Sequence, residues 1–549
     1  MKKNLLLLSV LFGVSTVASA QFAGGSGTES DPYQVATAEQ LQAVSNSPTS
    51  CFIQTADINL TDVTWTPIST FTGTYDGNNK TISNLNMEGG TNGLGLFVRV
   101  NTPGVIKNVI MRDCYVVAGD WSGILCSTNG NWEAAGGTFT NCTIYDSGIE
   151  GGDNVGAFAG SAGGSFEGCK AYNVTVTGTG VAGGISGDNE KGGHYWNCVF
   201  YGTVEGGKQT GGICGFQNGD CTVANAFDCC TVYGTVSVTT DAGTVGGIIG
   251  APNWNVTNSN VSNCAVFADV TGPCSGGIGG NAVRGSITRC YVTGNVKGTQ
   301  LYNNGYGDPW CGGICAVNFN GPITDCYFSG TTSNTGTDAL KFGGISGRYW
   351  TGVSVTNCYY NSEGSDLACG DGGQYWVGDG ECTGFIPEDL KTLSNFKFSD
   401  MSKWQNEDGV TTPFFANQTA SVKFTECTTS RIAGTGESDL ESVYLLGSMA
   451  GSIPQKVTIS NGTWSVDLNA DEVTTDEWIY AIGIGKDKMP AAVEKIKVSA
   501  GTGISTIDNE TSAKVEAIFN ASGQRINNIK TGQLNIVKYS NGKVVKVMK

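Results

Sequence analysis

The only histidine of the chain lies close to two carboxylates in the sequence. Asp188, Glu190 and His194 occur within one short segment, with Lys191 between them. A carboxylate and an imidazole that converge on one groove can serve as general acid and base in the cleavage of a polysaccharide. Charged residues in a loop are more often simply hydrated. Asp188, Glu190 and His194 are therefore weak candidates for catalysis.

A second cluster of acidic residues could bind a cation. Its members are Glu363, Asp366, Asp371, Asp379 and Glu381. Carboxylates on a glycine-rich loop suit Ca²⁺, which prefers oxygen ligands, although their spacing matches no EF-hand. A capping loop, closed by a disulfide between Cys369 and Cys382, is the simpler interpretation. We therefore expect no cofactor, with Ca²⁺ held by the three aspartates as the alternative.

Aromatic side chains offer a different chemistry, because the faces of sugar rings stack on them. Seven such residues lie in the segments between the repeated motifs described below: Trp132, Tyr195, Trp196, Trp254, Phe319, Tyr349 and Trp350. On one exposed side of an elongated molecule they would form a platform that binds a glycan. The alternative is that they fill the core or cover an edge, as aromatic residues in repeat proteins often do.

These candidates are embedded in a repeat. A glycine motif, in which Gly precedes Ile, Leu or Ala and then a small or apolar residue, occurs nine times. Its copies begin at Gly95, Gly123, Gly156, Gly184, Gly212, Gly247, Gly277, Gly313 and Gly344. From the first copy to the last there are 249 residues in eight intervals, a mean period near 31. Such a period is typical of a protein built from stacked, similar units.

A cysteine motif alternates with the glycine motif. Asn or Asp usually precedes the cysteine, and an apolar run follows it. Its cysteines are Cys114, Cys142, Cys169, Cys198, Cys229 or Cys230, Cys264, Cys290, Cys326 and Cys358. One cysteine per unit at a constant phase would stack as an interior ladder, where a thiol behaves as a small apolar group. Disulfides between adjacent units are the alternative.

Both motifs are short, rich in β-branched and aromatic residues and bounded by turn residues, which is typical of strands. No amphipathic helix fits within the unit. We therefore predict an all-β fold, a right-handed parallel β-helix with its caps over residues 21–417. The main alternative, a β-propeller, has longer repeats of about 40 residues. Glycine is expected at corners that need positive φ and where adjacent turns approach closely.

The composition excludes several classes of protein. The 82 glycines come with only 12 prolines and no strict triplet period, so the chain is not collagen-like. The formal net charge of -17 repels phosphate backbones, so nucleic acid is not an expected partner. No segment after the first 20 residues is long and apolar enough to predict a transmembrane span.

The chain changes character on both sides of the repeats. Thr37-Ala38-Glu39-Gln40 is a capping box that predicts a short helix, and Pro387 begins a segment that predicts another. Residues 418–500 contain Asn461-Gly462 between two β-prone runs, which predicts a hairpin in a small β-sandwich. A second hairpin is predicted around residues 540–542, within a short C-terminal β segment over 501–549.

Residues 1–20 have the features of a secretory signal peptide. Lys2 and Lys3 form a positive start, an apolar run follows, and Ala18-Ser19-Ala20 fits the small-residue cleavage site. We therefore expect the protein to be exported from the cytoplasm.

Two parts of the chain resemble known families. The nine repeats, together with residues 22–33 and Tyr75-Asp76-Gly77, resemble the GLUG-type repeats of adhesin-like bacterial surface proteins. Residues 515–525 and 531–538 resemble the C-terminal sorting domain of type IX secretion, which would occupy 501–549. That resemblance implies export by the outer-membrane secretion machinery of a Gram-negative bacterium, removal of the tail, and often attachment to the cell surface.

Three functions are compatible with these features. We favour a secreted or surface-displayed, adhesin-like protein that binds glycans or host or matrix polymers through the side of the rod, without catalysis. A polysaccharide lyase or glycoside hydrolase on the same scaffold is the second hypothesis, and an inert structural surface component is the third. Carboxylates that converge on one groove would favour an enzyme, whereas an exposed aromatic row would favour binding.

Overall fold

The computed structural model describes residues 22–499 with gaps, and four strands between residues 515 and 548. Up to residue 419 the gaps are 131–132, 191, 222, 282–283, 300–309, 320, 335–340, 350–353, 371–381 and 407–411. The later gaps are 420–421, 437–439, 448–455, 469–472, 474, 476–477, 486–488 and 491. The predicted signal peptide lies outside the described residues.

The described chain is nearly all β and forms a parallel β-solenoid of about nine turns, which confirms the predicted fold class. Each full turn passes through four stacked sheets, which we name A, B, C and D in chain order. The strands of sheet A are Tyr33–Val35, Cys51–Gln54, Thr74–Asp76, Val105–Lys107, Thr138–Thr140, Ser165–Glu167, His194–Trp196, Phe227–Asp228, Val261–Ser262, Ile287–Thr288, Ile323–Thr324 and Val355–Thr356.

Sheet B is the widest of the four and bends within each turn. Its strands are Ile58–Asn59, Thr81–Ser83, Asn86–Glu88, Ile110–Arg112, Tyr115–Val117, Thr143–Gly151, Lys170–Gly178, Val199–Gly206, Thr231–Val238, Ala265–Val266, Asp269–Gly272, Tyr291–Val292, Val296–Gly298, Tyr327–Phe328, Thr332–Asn334, Cys358–Asn361 and Cys382–Phe385.

Sheets C and D complete the turn on either side of the glycine motif. The strands of sheet C are Ser122–Gly123, Val155–Gly156, Ala182–Gly183, Gln209–Gly211, Thr244–Gly246, Cys274–Gly276, Trp310–Gly312 and Lys341–Gly343. Those of sheet D are Phe97–Val100, Cys126–Asn129, Ala159–Ala162, Ser186–Asn189, Cys214–Gln217 and Ile249–Pro252, then Cys315–Asn318 paired with Ser346–Tyr349.

The glycine motif is explained by the close approach of adjacent turns. A Cβ atom added to Gly184 would lie 2.1 Å from the carbonyl oxygen of Gly212 in the next turn, closer than any real contact. Ile185, the next residue, is fully buried in the core. Glycine therefore allows the turns to stack while isoleucine fills the interior, as expected from the sequence.

The corner between sheets A and B explains the residue that precedes each cysteine. That residue has a left-handed backbone, and the series is Asn141, Gly168, Asn197, Cys229, Asn263, Arg289, Asp325 and Asn357. Asn and Asp adopt this conformation more readily than most residues, because their short polar side chains bond locally. The expectation that glycine supplies the positive φ at corners is wrong for most of these turns.

The cysteines that follow this corner form an interior ladder. They are Cys142, Cys169, Cys198, Cys230, Cys264, Cys290, Cys326 and Cys358, each almost or entirely buried. None of the 20 cysteines, all within the described residues, forms a disulfide in the structure, and that includes Cys369 and Cys382. The Cys198 thiol donates to the carbonyl of Phe166 in the preceding turn at 3.4 Å, and burial raises its pKa. The predicted packing role is confirmed.

One of the predicted ladder positions is wrong, and one alternative that the sequence left open is decided by the structure. Cys114 lies at a different phase, because its backbone N–H donates to Ser147 Oγ at 3.0 Å on sheet B. Of the adjacent pair Cys229 and Cys230, the second occupies the ladder and the first forms the left-handed corner. A single residue separates the two environments, and the backbone conformation decides which cysteine points inward.

The first turn is capped by the predicted helix. The helix Ala38–Ala43 begins after Thr37, whose hydroxyl accepts the backbone N–H of Gln40 at 3.3 Å, and the 3₁₀ turn Val44–Asn46 follows. Leu41 and Val44 are completely buried against the end of the core. This confirms the capping box and shows how the solenoid's first backbone edge is covered.

After the last turn the chain folds back over the outer surface of sheet B. The described parts of this segment, residues 386–406 and 412–417, are called the strap. It contains the 3₁₀ turns Asp389–Lys391, Leu393–Asn395 and Met401–Lys403, and the antiparallel pair Trp404–Gln405 and Phe414–Phe415. The helix predicted after Pro387 is therefore only a 3₁₀ turn.

Small antiparallel sheets follow the strap. One contains Val422–Cys427, Arg431–Gly436 and Thr463–Asp467, and another Lys456–Thr458, Leu440–Gly447, Trp478–Gly485 and Ala492–Lys497. Gln418–Thr419 pairs in parallel with Met489–Pro490. A last antiparallel sheet contains Val515–Asn520, Arg525–Ile526, Leu534–Tyr539 and Val544–Met548. The predicted turn at Asn461-Gly462 is present, with both residues at positive φ, but its two strands enter different sheets. Among the described residues, no helix is long and apolar enough to cross a membrane.

Candidate functional site

At one edge of the solenoid each turn passes from sheet D to sheet A through a loop. We call this the D–A edge. Buried amide side chains at the ends of the sheet D strands hold these loops. Asn189 Nδ2 donates to the carbonyl of Gly193 at 3.0 Å and its Oδ1 accepts that residue's N–H. Asn318 makes the same pair of bonds with Gly321 at 2.8 and 3.2 Å.

The loop over residues 253–260 is held by a carboxylate from the preceding turn. Asp220 Oδ1 accepts the backbone N–H groups of Thr257 at 2.6 Å and Asn258 at 2.9 Å. Burial acts to raise the pKa of Asp220, but these two backbone bonds and the Thr257 hydroxyl lower it overall. The loop that carries Trp254 is therefore positioned by an ionised side chain.

The following turn is joined to this loop through Ser259 and Arg284. The N–H of Arg284 donates to Ser259 Oγ at 2.9 Å, and the N–H of Ser259 donates to the carbonyl of Arg284 at 2.8 Å. A further hydrogen bond joins the two turns: the backbone N–H of Ser286 donates to Asn260 Oδ1 at 2.6 Å. These bonds hold the backbone of residues 257–260 against that of Arg284 and Ser286.

Three side chains from successive turns meet on this edge. The ring centroids of Trp254 and Phe319 are 5.8 Å apart with their planes at 82°. The guanidinium carbon of Arg284 lies 4.1 Å from the Phe319 centroid and 4.9 Å from the Trp254 centroid, which is cation–π geometry. Trp254 is 71% exposed, the largest exposure among the exposed large hydrophobic residues. We call this group the Trp–Arg–Phe cluster.

Arg284 has no acidic partner among the described residues. No ion pair involves it, and its Nε is shielded from solvent without a hydrogen-bond acceptor. This partial burial lowers the pKa of its guanidinium. The cluster therefore combines an open aromatic face with hydrogen-bond donors that remain available.

Trp196 provides a second exposed aromatic surface, on the outer face of sheet A. It is 46% exposed and is aligned between Glu167 of the preceding turn and Asp228 of the next. His194 lies two residues earlier on the same strand and is half-buried. The flat indole is suited to stacking against a sugar ring, and the carboxylates on its two sides to accepting hydrogen bonds from the sugar's hydroxyl groups.

The structure does not bring the three candidate catalytic residues together in an open groove. Asp188 is 3% exposed, and burial, followed by the negative charge of Glu190, raises its pKa well above the ordinary value. Glu190 instead accepts a hydrogen bond from Asn218 at 3.2 Å. His194 forms no hydrogen bond or ion pair with either carboxylate in the described part of the chain. Lys191 lies outside the described residues.

The aromatic candidates separate into three groups. Trp196, Trp254 and Phe319 reach the surface, with Phe319 half-buried. Tyr195 and Tyr349 are 0% and 1% exposed, so the structure contradicts a ligand-binding role for them. Trp132 and Trp350 lie outside the described residues, and their proposed role stays a prediction.

The reason for the correction at Tyr195 is the alternation of side chains along a strand. Its neighbour Trp196 points outward, whereas Tyr195 stacks inside the core between Phe166 and Phe227, with centroids 5.3 and 5.0 Å apart. Its hydroxyl shares a 2.5 Å hydrogen bond with Ser186. Tyr195 is therefore a structural residue.

The acidic segment near the end of the solenoid is only partly described. Asp366 is exposed and, with Glu363, lines a cavity of about 410 Å³. Asp371 and Asp379 lie outside the described residues, as does Glu381. Within the described part of the chain, no group of three or more His, Cys, Asp or Glu residues could hold a metal. Binding of Ca²⁺ by the three aspartates stays a prediction.

A row of aromatic residues on the outer face of sheet B was missed in the sequence. Its members are Tyr172, Tyr201, Tyr233, Phe267, Tyr291, Tyr327 and Tyr359. The strap covers one end of this row: Trp404 packs 5.9 Å from both Tyr291 and Tyr327, and the Tyr327 hydroxyl donates to the carbonyl of Pro413. The available signal was the aromatic residue that recurs one or three positions after each ladder cysteine.

This chain has a low similarity to known proteins in both sequence and fold. No family model matches the sequence, so the GLUG and type IX resemblances stay predictions. Over 157 residues, 25% of the chain, the sequence is 31% identical to Halomucin of Haloquadratum walsbyi, and the match spans 2% of that protein. The crystal structure of a candidate immunoglobulin A1 protease from Bacteroides ovatus has 16% identity and a TM-score of 0.33, with 72% of this chain and 95% of that one covered.

Proposed function

We propose that this protein is an exported, surface-displayed β-solenoid that binds glycans or host or matrix polymers through its D–A edge. The observation that carries the proposal is the Trp–Arg–Phe cluster, in which Trp254 is 71% exposed. The hydrogen bonds of Asp220, Ser259 and Asn260 hold the backbone beneath the cluster, so binding a ligand requires little ordering of this loop. The exposed Trp196 on the adjacent sheet offers a further stacking surface.

Binding is favoured over catalysis by the placement of the carboxylates. Cleavage of a glycosidic bond needs two carboxyl groups, or a base with a cation, that both reach the substrate. Asp188, the carboxyl with a raised pKa, is enclosed in the wall of the solenoid. His194 lies on the outer face of sheet A, where no described partner orients it. These placements support a binding protein that does not alter its ligand.

A glycan and matrix-polymer array tests this proposal with the full chain. We expect the wild-type protein to bind at least one polymer, and Trp254→Ala to weaken that binding by about 10-fold or more, as for a central aromatic residue. Trp121→Asn is the matched control. It removes another exposed indole, 44% exposed, at the corner before sheet C, and asparagine tolerates the left-handed backbone found there.

Three outcomes would change the assignment. Wild-type protein that binds no polymer on the array contradicts the proposal and favours an inert structural component. Equal losses in Trp254→Ala and Trp121→Asn would place the binding elsewhere. New reducing ends or unsaturated products after incubation with polysaccharides would establish the lyase or hydrolase alternative.

Export and surface display are supported by the leader-like residues 1–20 and by the tail resembling a sorting domain. We expect a chain without residues 501–549 to accumulate in the periplasm of a host with type IX secretion, as measured by cell fractionation. The control is a deletion of equal length within the antiparallel sheets after residue 418. Normal delivery of the tail-less chain to the surface would contradict the sorting assignment.

A further inference from the structure

Among the described residues, Arg284 on the D–A edge takes part in no ion pair. The described arginine–carboxylate pairs, such as Arg112 with Asp146 at 2.6 Å and Arg431 with Asp467 at 2.7 Å, neutralise their guanidinium groups locally. Arg284 has no such pair, although the chain carries 48 acidic residues against 31 basic ones. A guanidinium without a counter-ion in an acidic protein is available to an anion supplied from outside.

The surroundings of Arg284 would strengthen such a contact. Trp254 and Phe319 contact the guanidinium at 4.9 and 4.1 Å, which removes part of its surface from water. Its five N–H donors lie in one plane, and that planar fork matches the oxygens of a carboxylate or sulfate. Charge-assisted hydrogen bonds of this kind are roughly twice as strong as neutral ones, and they are stronger still where water is excluded.

We propose, on the basis of the binding function above, that the Trp–Arg–Phe cluster recognises a negatively charged sugar in a polymer. The ring of the sugar stacks on the exposed face of Trp254, and its carboxylate or sulfate accepts hydrogen bonds from the Nη groups of Arg284, since the Nε is shielded from solvent. The net charge of -17 repels any polyanion at long range, nucleic acid included, whereas the attraction of Arg284 for a single charged sugar acts at contact. At physiological ionic strength charges farther than about 8 Å from the contact are largely screened.

The experiment compares charged polymers with neutral counterparts of the same sugar. The probes are polygalacturonate, its methyl ester, dextran sulfate and dextran, each titrated against the full chain. We expect the wild-type protein to bind at least one charged polymer about 10-fold more tightly than its neutral counterpart. A preference confined to polygalacturonate identifies a carboxylate as the group that Arg284 binds. A preference confined to dextran sulfate identifies a sulfate.

Two variants at one position separate charge from geometry. Arg284→Gln removes the charge and should abolish the preference for the charged polymer. Arg284→Lys keeps the charge without the planar fork and should retain only part of it. Hydrogen exchange of the loops around residues 253–260 shows whether each variant keeps the local fold.

Failure of this inference differs from failure of the proposed function. Equal binding of the charged and neutral polymers, or binding of neither charged polymer while other glycans bind through Trp254, overturns the anionic ligand and leaves the binding function standing. An unchanged preference in Arg284→Gln also overturns it. Absence of binding to every polymer overturns both.

Discussion

Two surfaces of the solenoid are rich in aromatic residues, and only one of them is open. On the outer face of sheet B, rings from successive turns stack with neighbours, and the strap and the sheets after it lie over them. On the D–A edge, Trp254 projects into solvent with Arg284 and Phe319 beside it. Aromatic content alone therefore does not identify a binding surface, because other segments of the same chain can cover a row of aromatic residues.

The difference has a physical basis. Each covered ring removes a large apolar area from water, so the strap and sheet B stabilise each other. Trp254 gains little from folding, since most of its surface stays exposed. An exposed indole held by an ordered loop is therefore more informative about ligand binding than a buried one.

Truncation of a covered ring should destabilise the strap strongly. Trp404 is 4% exposed and lies 4.3 Å from Phe398 and 5.0 Å from Phe415. We expect Trp404→Ala to lower the free energy of opening of the strap by about 3–5 kcal/mol, measured by hydrogen exchange of residues 386–417. The array binding of this variant should remain that of the wild type.

The matched variant on the open surface is Trp254→Ala. It should change stability by less than about 0.5 kcal/mol, because the ring is exposed. If Trp404→Ala weakened polymer binding as much as Trp254→Ala does, the contrast between the two surfaces would be wrong.

A smaller effect is expected where the antiparallel sheets contact the row on sheet B. The hydroxyl of Tyr201 donates to the backbone carbonyl of Leu445, in the strand Leu440–Gly447. Tyr201→Phe keeps the ring and removes this bond, which should cost about 1 kcal/mol of stability. Thermal unfolding measures the loss, and Tyr33→Phe, at a half-buried tyrosine whose hydroxyl bonds to no described residue, is the control. No difference between the two variants would show that the contact contributes nothing to the covering of this face.

The smallest effect concerns the loop beneath the open cluster. Asp220→Asn weakens the acceptor for the N–H groups of Thr257 and Asn258, and should lower polymer affinity about threefold at pH 7, since this carboxylate is largely hydrated. Isothermal titration with the bound polymer measures the change.

The same carboxylate predicts a pH dependence. Hydrogen bonds lower the pKa of Asp220. The contribution of its ionised carboxylate to polymer affinity is therefore complete at pH values above the ordinary aspartate pKa near 3.9, and is lost as the pH falls through the lowered pKa. We expect wild-type affinity to be constant above about pH 4 and to fall below it, with a smaller fall in Asp220→Asn. Equal falls in both proteins would assign the pH effect to other carboxylates or to the ligand.

Much of the fold was predictable because it depends on neighbours in the sequence or on the repeat. The glycine motif, the cysteine ladder, the capping box at Thr37 and the left-handed turn at Asn461 were all recognised or expected from local chemistry. The wrong predictions also concern local patterns. Cys114 has the sequence of the cysteine motif, but it lies at a different position of the turn from the ladder cysteines. Strict alternation along the strand His194–Trp196 could have separated Tyr195 from Trp196.

The candidate site was only half predictable. Trp254 and Phe319 were selected as aromatic residues in loops, but nothing in the sequence singled out Arg284. These residues come from three different turns, and their meeting depends on loop lengths and on bonds such as that between Ser259 and the N–H of Arg284. The strap was missed for the same reason, because Trp404 and Tyr291 are distant in the chain.

The sequence by itself determined the architecture: a period near 31, glycine where turns touch, and a small apolar thiol inside each turn. These features recur at a fixed spacing, so each copy reinforces the same interpretation. Only the tertiary structure decided which aromatic surface is covered and which remains open. That outcome depends on contacts between residues far apart in the chain, whose energies come from packing and burial, and no local pattern encodes them.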